Sequence, residues 1–272
     1  MKTIKLKTFF SKYNYFLIII ILLVSFALLY FFYHRQRNQE FIYISLSLYK
    51  DGKTPINIAY NSVPYWVENS ISIGDRESDL IGRSGVEVIS KESYDWYSFG
   101  KSVNLVLRVN AIRDRTGIYL YKNKPLAVGG TLDLKLPKAQ VQGVISFIGS
   151  EIPVVNNRKL KIVVKGKQQE TWLADKLNIG DEIKSSQGMV VGKITDKKSF
   201  PAEIRVDTAS GQAVVSYDNT KRDIEITVEL LCREIDKICY FMQDQKIKVN
   251  EGVYLPFNSV SINFPIISIS DK

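Results

Sequence analysis

The stretches YWVENSISIGD (65–75) and TWLADKLNIGD (171–181) carry the same tryptophan, isoleucine, glycine and aspartate at the same spacing, 106 positions apart. Extended without gaps to 65–94 and 171–200, the alignment adds Gly82/Gly188, Lys91/Lys197 and Ser93/Ser199, with Tyr94 facing Phe200. Beyond it the offset becomes 121, so the second copy holds a loop 15 residues longer. With that shift VNLVLRVNA (103–111) faces IEITVELLC (224–232), and YLYKNKPLAVGGTLDL (119–134) faces YFMQDQKIKVNEGVYL (240–255). Blocks that stay in register across a single insertion identify a duplicated unit.

Each copy has the same plan. An alternating segment, FIYISLSL (41–48) or LKIVVKGK (160–167), predicts a half-buried strand. About one helical turn with the tryptophan follows, then Ile-Gly-Asp, then a glycine-containing polar stretch and a long alternating strand. Two turns and short closing strands complete the unit. Many short strands separated by Gly, Asp and Asn predict a small barrel or sandwich. The chain therefore reads as mainly β, with tandem barrel-like repeats at 41–149 and 158–269 joined by a linker at 150–157.

Gly74 and Gly180 permit a positive φ, and Asp75 and Asp181 accept bonds from neighbouring amides, so each pair predicts a sharp structural turn. The competing reading makes the two aspartates catalytic or metal-binding. It is disfavoured because each acid sits in its own copy of one frame, with no histidine nearby.

Ahead of the repeats lies YFLIIIILLVSFALLYFFY, Tyr15 to Tyr33. Its nineteen residues make about 28 Å of helix, close to the thickness of a bilayer's hydrocarbon core. Tyr13, Tyr15, Tyr30 and Tyr33 lie near its ends, where amphipathic rings favour the membrane interface. A cleaved signal is disfavoured, because HRQRNQ follows where small residues would be needed. The segments are thus a basic tail (1–14), a transmembrane helix (15–33) and a linker (34–40). Four lysines precede the helix, which directs the N-terminus to the cytoplasm and the repeats outside it.

The net charge of +9 invites a nucleic-acid reading, but its location argues against one. More than half of the excess flanks the apolar segment, and the rest is spread over the repeats rather than gathered into a phosphate-binding face.

The Ile-Gly-Asp step between strands resembles the GD box of cradle-loop β-barrels. The wider pattern IGDEIKSSQGMVVGKIT (179–195) with KIKVNEGVYL (246–255) is similar to an uncharacterised bacterial family of N-terminally membrane-anchored β domains. The second unit fits that pattern across 158–269. The first departs from it at IGRSGVEVIS (81–90), where the Gly-Lys-hydrophobic step is missing. The resemblance implies a bacterial, anchored, β-rich protein without assigned chemistry, and it supplies no catalytic residues.

The chemical inventory is thin. The one histidine, His34, stands at the edge of the apolar segment beside Arg35. Zinc ligation needs more Cys and His than the chain has, and SFGKS (98–102) lacks the earlier glycine of a phosphate loop. No catalytic residue, cofactor or metal is expected. Cys232 and Cys239 flank a turn and fit either a disulfide across a hairpin or two buried thiols. In SYDWYSFGKS (93–102), Tyr94, Trp96, Tyr97 and Phe99 form a dense aromatic loop. It fits contacts to a protein partner, to lipid headgroups, or to the unit's own barrel, the last being favoured.

The function expected from these features is non-enzymatic: a single-pass membrane protein presenting two extracytoplasmic β modules as a scaffold or adaptor in a cell-envelope or secretion assembly. Its partners are the membrane through 15–33 and a protein, or a second copy by self-association. The alternative is an oligomeric component of an exporter or lipid-transfer system; an envelope hydrolase is less favoured.

Overall fold

A computed structural model describes residues 5–36, 39–49, 62–78, 84–97, 100–207, 211, 213–242 and 245–271, with side chains of the N-terminal helix described over 15–30. That helix, α1, runs Lys5–Gln36. Its side chains from Tyr15 to Tyr30 are all exposed. The helix contains the expected Tyr15–Tyr33 span, yet among the described residues no helix is long and apolar enough to cross a membrane.

The remainder is two curled antiparallel sheets in tandem, each a half-barrel of eight strands. The first contains β1 (Gln39–Tyr49), β2 (Arg76–Ser78), β3 (Ser84–Trp96), β4 (Gly100–Arg113), β5 (Tyr119–Tyr121), β6 (Lys124–Pro125), β7 (Thr131–Lys135) and β8 (Gln140–Gly149). Its short helix α2 spans Tyr65–Asn69. The second contains β9 (Asn157–Glu170), β10 (Glu182–Lys184), β11 (Val190–Asp207), β12 (Ala213–Ile235), β13 (Ile238–Phe241), β14 (Gln245–Lys246), β15 (Gly252–Pro256) and β16 (Ser261–Asp271), with α3 at Thr171–Lys176.

Strand order is β2-β3-β4-β1-β8-β7 in one and β10-β11-β12-β9-β16-β15 in the other. The duplication extends to register. Val86 pairs with Val109 as Gly192 pairs with Leu230, and Thr131 pairs with Val144 as Gly252 pairs with Pro265. Even the irregularities recur, at Val88/Ser90 and Ile194/Asp196, and at Ser45/Leu46 and Ile266/Ser268. A bulge inserts one residue and turns the strand, so bulges at equivalent places give both sheets the same curl. The register also aligns β1 with β9 one residue away from the alignment of their apolar runs. Ile42 and Leu160, each opposite the same position of the next strand, are the matched buried residues.

Alternation places Ile42, Ile44, Leu46 and Leu48 of β1 inside with Leu105, Leu107, Val109 and Ala111 of β4. In the second unit Leu160, Ile162 and Val164 of β9 meet Ile224, Ile226, Val228 and Leu230 of β12. A fully buried Leu, Ile or Val contributes about 1.5–3 kcal/mol, so these stripes dominate each unit's stability.

Where the sheet stops short of closing, its edge strands are spanned by side chains. Glu77 on β2 is buried, and its carboxylate accepts the Tyr121 hydroxyl at 2.7 Å, the Lys122 ammonium at 2.5 Å and the Lys135 amide of β7 at 3.1 Å. The equivalent residue in the second unit is buried Ile183. There the Ser259 hydroxyl, in the β15–β16 turn, reaches Asp181 at 2.7 Å instead.

Cys232 on β12 and Cys239 on β13 are joined as a disulfide, with Cα atoms 5.6 Å apart. They are not directly opposite each other in the hairpin. Cys239 pairs with Glu234, and the bond runs diagonally on one face of the hairpin. That separation lies within the usual range for a disulfide.

The turn glycines give a direct check. Gly74 (φ +90) and Gly180 (φ +96) have open space where a Cβ would lie, so alanine there costs backbone strain alone. Gly74→Ala and Gly180→Ala are each expected to lower stability by about 1–2 kcal/mol in urea unfolding. Near-equal losses are expected because the turns are equivalent; a cost at one site only would contradict that equivalence.

Candidate functional site

Each phrase ending in Gly-Asp closes with the same four hydrogen bonds. The Gly74 amide donates to Val88 O at 2.8 Å, and the Val88 amide donates back to Asp75 O at 2.9 Å. The Asp75 amide donates to Ser72 O at 3.1 Å, and the Ser72 amide donates to the Asp75 carboxylate at 2.8 Å. In the second unit the Gly180 amide donates to Ile194 O at 2.9 Å, and the Ile194 amide donates to Asp181 O at 3.0 Å. Asp181 and Asn178 exchange bonds at 3.1 and 2.9 Å. The aspartates thus act within turns, and among the described residues no cluster of His, Cys, Asp and Glu could hold a metal ion.

A third shared residue has a role that spacing alone did not reveal. The Lys91 ammonium donates to the carbonyls of Glu68 and Ile71, and Lys197 donates to those of Ala174 and Leu177 at 2.7 and 2.6 Å. These are carbonyls at the C-terminal ends of the short helices, which lack partners within the helix and favour a cation. In the first unit Glu68 adds a buried ion pair to Lys91 at 2.8 Å and accepts the Ser93 hydroxyl at 3.0 Å.

Two of the other shared residues, the tryptophan and the isoleucine, lie on the surface. Trp66 and Trp172 are 62% and 57% exposed, and Ile73 and Ile179 are 58% and 63% exposed. Large apolar groups retained at four surface positions mark contact surfaces better than core packing does. Gly82, the other member of a matched glycine pair, lies outside the described residues.

The aromatic loop goes elsewhere than favoured. Tyr94 and Trp96 do not pack on their own half-barrel; they are buried in the hydrophobic core of the second unit. The β3–β4 hairpin bends its end onto the neighbour because that neighbour offers Tyr254 as a platform. Tyr97 stacks on Tyr254 with ring centroids 4.1 Å apart, and Trp96 meets the same ring edge-on at 5.8 Å. Backbone bonds fix the seam: the Ser186 amide donates to Ser93 O at 3.0 Å, and the Ser93 amide donates to Ser186 Oγ at 3.2 Å. The Gln187 amide group donates to Lys91 O at 2.8 Å. Phe99 lies outside the described residues.

Beside the seam, between the outer face of β3 and β4 and the linker after β8, lies a cleft of about 190 Å³. Glu92, Asn104, Asn157 and Arg233 contribute its polar wall, with Ile152 and Met189 among its apolar lining. Burial, with the Glu92 charge nearby, pushes the phenol of Tyr94 well above its ordinary value, so it stays protonated in the cleft. The volume is below that of pockets for drug-sized ligands, and suits one inserted side chain or a few waters.

Removing the Trp96 ring tests how far the seam supports the second unit. Trp96→Ala is expected to cost about 3–5 kcal/mol in denaturant unfolding and to expose the 150–157 linker to protease. Trp96→Phe is expected to stay within about 1 kcal/mol of the parent, because the buried Trp96 Nε1 has no hydrogen-bond partner among the described residues to lose. Equal losses from both would show that the indole, rather than buried aromatic bulk, holds the seam. Comparison with protein families, with curated proteins and with solved structures finds no match to this chain.

Proposed function

We propose that the protein is a single-pass membrane protein whose two extracytoplasmic β modules act as a non-enzymatic scaffold in an envelope or secretion assembly. The observation that carries this reading is the pair of exposed tryptophan–isoleucine sites. Two units that diverged over most positions kept Trp66/Trp172 and Ile73/Ile179 on the surface, at 57–63% exposure, where folding does not require them. The other shared side chains near them serve turns and helix ends. A repeated apolar site on a paired module is a bivalent surface, and bivalency strengthens binding to a partner that offers matching sites.

The anchor is supported by the apolar run Tyr15–Tyr33 and by the exposure of every described side chain of α1 from Tyr15 to Tyr30. So many exposed large apolar groups on one helix are covered most economically by lipid. The GD-box likeness belongs to the same proposal and rests on the duplicated turn. An extracytoplasmic site for the modules accords with the Cys232–Cys239 bond, since disulfides persist in oxidising compartments.

Two measurements test the reading. The full-length chain is expected to remain with membranes through alkaline carbonate washing; release into the supernatant rejects the anchor. In vivo crosslinking is expected to show a heteromeric adduct that Trp66→Ala/Trp172→Ala abolishes, with a stability loss below about 1 kcal/mol because both rings are exposed. An unchanged adduct in that variant rejects the proposed surface. Separately, alkylation of protein denatured straight from its native compartment is expected to label neither Cys232 nor Cys239. Two labelled thiols reject the oxidising location.

A further inference from the structure

The cleft at the seam brings together two outer strand faces, one from each unit. Ser90, Glu92 and Tyr94 are spaced two apart on β3 and share its outer face, with Asn104 of β4 opposite Glu92. Leu231 and Arg233 of β12 form the wall from the second unit, with Tyr240 of β13 opposite Arg233 and Met242 just beyond. The duplicated frame does not supply the two charges. Lys198 is the counterpart of Glu92, and Ile112 is the counterpart of Arg233.

Both charges are half-buried and unpaired. Glu68, Glu77, Glu87, Glu182, Glu234 and Glu251 are buried or half-buried, and each has a cation within ion-pair distance. Glu92 has neither a cation nor a hydrogen-bond donor among the described residues, and the Arg233 guanidinium has no acceptor among them. A charge drawn partly out of water without a counter-charge is costly. A ligand carrying a cation and an anion removes that cost at both walls.

The wall formed by the second unit is also held in place. Cys232 and Cys239 adjoin Arg233 and Tyr240 in sequence and point to the opposite face, so their bond fixes the hairpin without entering the cleft. The first unit closes the equivalent hairpin with Ala111 and Ile118 at those positions, so the frame does not need the bond. It stiffens the copy that forms a cleft wall, and a preorganised wall lowers the ordering cost of binding.

We propose that this cleft binds one free aliphatic α-amino acid, with Glu92 receiving the ammonium, Arg233 the carboxylate, and Leu231, Met189 and Met242 the side chain. The size agrees. At about 30 Å³ per water, 190 Å³ corresponds to about six waters, close to the bulk of one leucine. Exposed Ile152, Val155 and Met189 give the cleft an apolar rim. An occupant touching both walls ties the two units together. This inference goes beyond the scaffold reading and rests on neither the anchor nor the tryptophan sites.

The test is equilibrium dialysis of the full-length chain in detergent against radiolabelled L-leucine, with one saturable site per chain expected. Isoamylamine, which lacks the carboxylate, and isocaproate, which lacks the ammonium, are each expected to compete about tenfold less well than unlabelled leucine, since each forfeits a charge-assisted contact. Glu92→Gln and Arg233→Gln are each expected to weaken leucine binding by a similar factor. Their melting temperatures without leucine are expected to match the parent's, because neither side chain has a partner to lose. Absence of saturable leucine binding, an analogue that competes as well as leucine, or unaltered binding in either variant overturns the proposal. The analogue series uses the parent chain, so it decides the matter however the variants fold. Loss of membrane attachment, or a crosslinked adduct that survives Trp66→Ala/Trp172→Ala, counts against the scaffold reading and leaves this site standing.

Discussion

A glycine amide bonded to the carbonyl of a neighbouring strand, answered by the next residue's carbonyl accepting that strand's amide, is the constraint on which both half-barrels depend. Gly74–Val88–Asp75 and Gly180–Ile194–Asp181 form this exchange at nearly equal distances. It locks the short helix, the turn and the bulged β3 or β11 strand into one corner. The aspartate carboxylate binds an amide upstream, and a lysine from the locked strand reaches back to the helix end. Each bond contributes modestly, about 0.5–1.5 kcal/mol net, but together they leave few unpaired polar groups at a corner where the chain turns sharply.

From these corners the two units diverge in how they use their edges. The first spans its open side with a buried carboxylate, Glu77, and keeps a second, Glu68, under the seam; the second has Ile183 and Ala174 in those places. A buried carboxylate is costly unless its donors are present, and both glutamates have a lysine and a hydroxyl within reach. The first unit is consequently the more polar of two similar frames. Its hairpin is also the one that has found a partner, through Trp96 and Tyr97 on the second unit. The two bodies share a hydrophobic core at that point, so the linker at 150–157 does not act alone in holding them together.

The duplicated plan was legible because register and turn chemistry leave local marks. Glycine before aspartate, alternation along 41–48 and 103–111, and a change of offset at one insertion are all properties of neighbouring residues. The helix-capping role of Lys91 and Lys197 was visible only as an identity, since a lysine reaching two carbonyls twenty residues away leaves no periodic trace. Glu77 and Glu68 left none either, because their partners Tyr121, Lys122, Ser93 and Lys91 are distant in the chain.

The amino-acid sequence by itself determined a twofold β architecture, its turns and an apolar N-terminal run, because periodicity and backbone preference act over a few residues. The tertiary structure alone decided which apolar groups are core and which are surface. Trp96 and Trp66 have the same chemistry, yet one is buried by a neighbouring unit and the other faces solvent. The difference lies in whether Tyr254, more than 150 residues further on, is folded to within reach. Burial is a property of the assembled surface around a side chain, and no local pattern encodes it.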